Sequence, residues 1–184
     1  MNLKMQRRAE SFNRIIVFFF CLFFIWIALQ FLAPFMVPTA TITDISGSVF
    51  IDDTDEQQLS FPWNGIYATG DILCHQKVER TIMFNGNQMP FCSRCTAIWI
   101  GLVIGLGAMI FYRIPLDEKF IVLMVLCMIP IAIDGLGQLV QLWESSTASR
   151  IITGLLIGTI CGIGIGIIVD EVYEIRLLKK SKSN

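Results

Sequence analysis

Six cysteines and one histidine are the residues best suited to chemistry in this 184-residue chain, and four of them fall in one stretch. Cys74-His75 is followed by sixteen residues and then by Cys92-x-x-Cys95. Cys21, Cys127 and Cys161 lie in strongly apolar surroundings, where cysteine behaves as a small hydrophobe. Three thiolates and an imidazole make a tetrahedral Zn2+ set, so Cys74, His75, Cys92 and Cys95 are candidate metal ligands. Between them, Thr81-Ile82-Met83-Phe84, then Asn85-Gly86, then Asn87 to Phe91 read as a β-hairpin with a two-residue turn. With that turn, opposed positions sum to 171, which sets His75 across from Thr96 and Cys74 across from Ala97. The two ends of the motif become neighbours. Adjacent Cys and His cannot both ligate one ion without a sharp bend, so one of them can stay free.

Two other readings of the thiols stand beside the metal. Cys92 and Cys95 precede an apolar segment, where a helix dipole lowers thiol pKa. In an oxidising compartment they would form a redox dithiol or a plain disulfide. Membrane thiol oxidases that reduce quinone relay electrons through a second cysteine pair, whereas only Cys74 remains here outside the apolar segments. Thiols with a purely structural part are the third reading. A c-type haem is excluded because Thr96, not His, follows Cys95.

A second polar group interrupts the apolar sequence. Asp134, with Gln138 and Gln141 on the same helical face, is followed by Glu144, Arg150 and Thr153. A carboxylate inside a span is costly and therefore a functional-site candidate. Asp134 and Glu144 are the acid/base candidates, and Arg94, Gln138, Arg150 and Thr153 the ligand-binding ones. A structural alternative is a salt bridge from Asp134 to Arg94 or Arg150.

These residues must be positioned within a chain that is 54% apolar and only 16% charged, with a mean hydropathy of +0.65. A soluble domain of this size could not bury so much apolar surface. Four segments have the roughly 20 apolar residues that crossing a bilayer requires: 15–37, 96–112, 120–142 and 151–169. The first is longer than the apolar part of a signal peptide and reads as a retained anchor. Lys4, Arg7, Arg8, Arg14, Arg113, Lys119, Arg176, Lys179, Lys180 and Lys182 flank the spans on one side, against only Lys77, Arg80, Arg94 and Arg150 on the other. Residues 1–14, 113–119 and 170–184 are therefore expected in the cytoplasm, and 38–95 and 143–150 outside it. The polar part of the first outward segment holds a candidate short strand at Ser48–Ile51. Gly154, Gly158, Gly162 and Gly166 recur every four residues, as do Gly101 and Gly105, which predicts close helix packing. The net charge of -1 argues against a nucleic-acid partner.

The motifs resemble a family of uncharacterised prokaryotic multi-span membrane proteins. The resemblance rests on Cys74-His75-Gln76, Arg80, Asn85-Gly86-x-Gln88-x-Pro90-x-Cys92-x-Arg94-Cys95-Thr96, Asp134-Gly135-x-x-Gln138, Glu144-Ser145, Arg150 and Thr153-Gly154. It covers about 74–158, with Ala97 where members commonly have Gly. It implies a multi-span fold and links the Cys/His segment to the Asp134–Arg150 cluster, without supplying a reaction.

The expected protein is thus an all-α integral membrane protein of a prokaryotic plasma membrane. Four transmembrane helices carry an outward-facing Cys/His segment with a small β-hairpin. Its expected function is a Zn2+-supported polar site acting on a lipid head group or other outer-leaflet ligand. Thiol–disulfide exchange by Cys92 and Cys95 is one alternative. A non-enzymatic transporter or assembly subunit, using the glycine ladder against a partner helix or a second copy, is the other.

Overall fold

A computed structural model describes residues 6–7, 14–45, 59–140, 142 and 144–182. In chain order the elements are β1 (Gln6–Arg7), α1 (Arg14–Met36), α2 (Trp63–Leu73), a 3-10 turn at Val78–Arg80, β2 (Met83–Phe84), β3 (Asn87–Gln88), α3 (Ser93–Phe111), β4 (Tyr112–Arg113), α4 (Glu118–Leu139) and α5 (Thr147–Lys182). Among the described residues α1, α3, α4 and α5 are long and apolar enough to cross a membrane. The expected strand at Ser48–Ile51 and the side chain of Gln141 lie outside the described residues. The all-helical membrane architecture with a small hairpin is the one expected, with one addition: α2 had no clear signal in the sequence.

The helices expose what a soluble protein would bury. Phe18, Leu22, Phe24 and Ile25 of α1, and Ile121, Val122, Val125 and Ile129 of α4, face outward, as a lipid solvent permits. The centre is the α3–α5 pair. A Cβ on Gly158 would lie 2.1 Å from the Ile98 carbonyl oxygen, one on Gly105 2.2 Å from that of Thr159, and one on Gly162 2.3 Å from that of Leu102. Ala97–Gly154, Gly101–Gly158, Gly105–Gly162 and Met109–Gly166 meet at one constant sequence offset. The two helices therefore run parallel, backbone against backbone, with their N-termini level. The glycine ladder is taken up inside the chain, as the close helix packing that its spacing predicts.

α1 rests on α3 through aromatic rings, with Phe23 and Trp99 at 5.6 Å and Trp26 edge-on to Trp99 at 6.1 Å. α4 starts at an Asp117 carboxylate that accepts from the Phe120 amide at 2.8 Å, a side-chain cap on the first turn. At the far end of α3, β4 pairs antiparallel with β1, and Arg113 pairs with Glu174. α5 continues well past residue 169, so Glu174 stands on helix. α3 spans about 28 Å at 1.5 Å per residue, so this end is a membrane thickness away from Cys92.

At the opposite end, α2 packs on the end of α1 through Ala33, Val37, Ile42, Ile66 and Tyr67. The hairpin has the expected register, Met83 with Gln88 and Phe84 with Asn87. Asn85 and Gly86 both have positive φ, as a two-residue type I′ turn requires. The ladder ends after two pairs, because residues 78–80 wind into a 3-10 turn. The strand pairing of His75 with Thr96 and of Cys74 with Ala97 therefore does not form.

Candidate metal centre

The thiols nevertheless meet, by a route that sequence spacing did not disclose. The Cys74 amide donates to the Gly70 carbonyl at 2.8 Å, which closes the last turn of α2. Gly70 itself lies against Pro90, and a Cβ there would fall 2.0 Å from the Pro90 carbonyl oxygen. Only glycine lets the end of α2 press onto the strand that leads to Cys92. The contact is locked by Gln76, whose side-chain amide donates to the Pro90 carbonyl at 2.7 Å and to the Tyr67 carbonyl at 3.3 Å. Gln88 donates to the Gln76 carbonyl, its Oε1 accepts from the Ile45 amide at 3.1 Å, and its own carbonyl accepts from the Tyr67 hydroxyl at 2.8 Å. Sequence reading placed Gln76 and Gln88 in a motif without a role; here they brace the two limbs that carry the thiols.

Asn87 was missed altogether. Its Oδ1 accepts from the amides of Thr41 and Ile42, each at 2.9 Å. Its Nδ2 donates to the carbonyls of Pro34, Val37 and Pro38. One buried side chain thus ties the end of α1 to the hairpin. Asn87→Asp keeps the acceptor but sets a carboxylate against three carbonyls. About 2 kcal/mol of stability should be lost, measured by denaturant titration in detergent. A variant as stable as the parent would show that these bonds are dispensable.

Cys74, Cys92 and Cys95 have their sulfur atoms all within 4.8 Å of one another. The Cys92 amide donates to the Cys74 sulfur at 3.4 Å. Cys92 is the N-cap of α3. Its thiol is held well below the ordinary range because the thiols of Cys74 and Cys95 donate to its sulfur, with the Cys95 and Arg94 amides adding to them against the cost of burial. Cys74 moves up, chiefly because its proton is shared with Cys92. A thiolate steadied by donors is the form that binds a metal ion.

His75 is a correction to the expected ligand set. Cys74 has extended backbone, so the next side chain points the opposite way. Gln76 then turns the chain at a φ of 42°. His75 is exposed and lines the cleft beside the thiols, outside the three-sulfur group.

That cleft has a volume of about 280 Å³ and is lined by the three thiols, by Lys77, Arg80, Arg94 and Arg150, and by Gln138. Arg94 is paired with Asp134, whose Oδ2 also accepts from Gln138 at 3.0 Å. The carboxylate is thereby committed to a cation. Thr153 is buried and returns its hydroxyl to the Ser149 carbonyl at 2.8 Å. It and the exposed Glu144 do not line the cleft. The expected polar site contracts to Arg94, Gln138 and Arg150, and gains Lys77 and Arg80.

Fold and site together define a four-span membrane protein with three thiols gathered at one end of a glycine-packed helix pair. The chain belongs to the family described as Predicted membrane protein (DUF2085), whose model matches residues 74–166. An uncharacterized protein of Methanocaldococcus jannaschii is 34% identical over 96 residues, which are 50% of this chain and 61% of that protein, under two thirds of its length. An uncharacterized protein of Methanothermobacter thermautotrophicus is 35% identical over 105 residues, 57% of this chain and 91% of the relative. No solved structure matches the chain.

Proposed function

We propose that this membrane protein carries a Zn2+ centre held by Cys74, Cys92 and Cys95, and that the centre opens onto an outer-leaflet site for an anionic ligand such as a lipid head group. The observation that carries the reading is the convergence of three sulfur atoms within 4.8 Å from two separate chain limbs. A disulfide or a redox dithiol needs only two. Three protein ligands leave a fourth tetrahedral position free, the arrangement of zinc sites that bind or activate a ligand. The cleft beside the thiols is lined by His75, the one imidazole, and by guanidinium groups that attract negative charge, so a ligand held there would lie next to the bound ion.

Orientation is part of the proposal. The ten basic residues of the other side include Arg113, Lys119 and Arg176, and β1 holds the N-terminus beside residues 112–113. With that end in the cytoplasm, the thiols face outward.

The purified full chain is expected to contain one zinc per protein. Cys92→Ser, Cys74→Ser and Cys95→Ser should each lower the content severalfold, and Cys127→Ser should leave it unchanged. Elemental analysis, with thiol counting before and after reductant, decides the matter. Zinc retained in Cys92→Ser, or two thiols released only by reductant, would overturn the metal reading.

A further inference from the structure

The cleft beside the thiols holds more positive charge than its own residues neutralise. Arg150 is 5% exposed and lines the cleft, and its guanidinium makes no hydrogen bond or ion pair among the described residues. Arg80 and Arg94 lie near enough to repel it, with Cys92 and Asp134 the attracting groups. Asp134 is already spent on Arg94. Arg80 is no better served: its Nε is buried without a hydrogen bond, and exposed Glu79 stays 4.0 Å away. Lys77 adds a further cation at the rim. A buried guanidinium without a partner is costly, and the like charges of Arg80 and Arg94 beside it add to that cost. Such an arrangement is stable when an anion completes it.

We infer that Arg80 and Arg150 bind the phosphate group of a phosphorylated ligand in this cleft, beside the thiol centre. The inference rests on the reading of the cleft as a ligand site, and it names the ligand's chemistry. Two planar forks set around one cavity suit a tetrahedral dianion, which accepts from both at once, better than a carboxylate with two oxygens. Arg94 is not one of the pair, because its Nη2 is held by Asp134. The cleft lies at the level of the N-termini of α3 and α5, whose dipoles add to the attraction.

The test uses the full chain purified without phosphate. One arm titrates inorganic phosphate in detergent micelles by calorimetry. A second measures binding to nanodiscs containing dioleoyl phosphatidic acid, with dioleoylglycerol as the control lipid. Saturable binding is expected in at least one arm; free phosphate as effective as the lipid assigns a soluble ligand, and lipid binding that free phosphate does not displace assigns a membrane one. Arg150→Gln and Arg80→Gln should each weaken binding at least about tenfold. Arg150→Lys, which keeps the charge and loses the fork, should bind at an intermediate level and guards against a folding defect. Zinc content is read on every variant, so loss of phosphate binding with zinc retained separates this site from the metal centre. Binding unchanged in Arg150→Gln, equal binding of dioleoylglycerol, or no binding in either arm would overturn the inference.

Discussion

Gly158→Ala is expected to destabilise the protein by about 3 kcal/mol, the upper range for forcing a methyl group into a packed interior. Gly164→Ala, on the same helix, should be neutral or slightly stabilising. The contrast follows from what each new Cβ meets. At Gly158 it is the backbone carbonyl of Ile98 at 2.1 Å, with the Ile98 carbonyl carbon at 2.9 Å. Neither atom can yield unless α3 as a whole moves away from α5. At Gly164 nothing lies within 4 Å, and alanine is favoured over glycine in a helix by about 1 kcal/mol. Between apolar helices in lipid the hydrophobic effect gives little net attraction, so close backbone approach supplies much of the contact energy. Separating α3 from α5 also moves Arg150 away from Arg80 and the thiols, so Gly158→Ala should lower phosphate binding, while zinc, whose three ligands all lie outside α5, is retained. Equilibrium unfolding in mixed micelles measures the difference. Equal stabilities for the two variants would mean that the ladder does not hold the pair.

How much of this was readable beforehand depended on the range of each interaction. The glycine spacing and the Asn85-Gly86 turn are local signals, set by three or four residues of one element, and both features formed. Which helix the ladder would meet was not readable, because a stripe of small residues looks the same against a helix of its own chain or of a second one. The hairpin register held for two pairs and then misled, since it assumed extended backbone where Val78–Arg80 turns. α2 carries Gly65 and Gly70 within its 11 residues, which weakens any helical pattern. Its reason for existing is tertiary, the seating of Gly70 on Pro90. The gathering of Cys74 with Cys92 and Cys95 was legible as spacing, whereas the departure of His75 depended on a backbone angle. Asn87 stands between turn and strand like any hairpin residue; its five partners lie 45 to 53 residues away.

Asp134→Asn is expected to cost about 3 kcal/mol, because removing one member of a buried ion pair strands the other. Asp134 and Arg94 side chains are 9% and 21% exposed, and the Arg94 Nε is buried with no hydrogen bond of its own. Sequence alone left Arg94 and Arg150 equal as partners, since each opens a helix and the two helices are level. The pairing with Arg94 decides what the variant does next. Asparagine can still accept from Gln138, so local shape survives, while Arg94 joins Arg80 and Arg150 as a third unneutralised guanidinium. Stability should fall and affinity for phosphate should hold or rise, with added phosphate restoring part of the lost stability by linkage. The double variant Asp134→Leu with Arg94→Met should be more stable than either single change, since no charge is then left buried alone. Denaturant titrations of the four proteins, with and without phosphate, give the coupling energy directly. A coupling near zero would place the Arg94–Asp134 pair among solvated contacts and remove the reason for excluding Arg94 from the phosphate site.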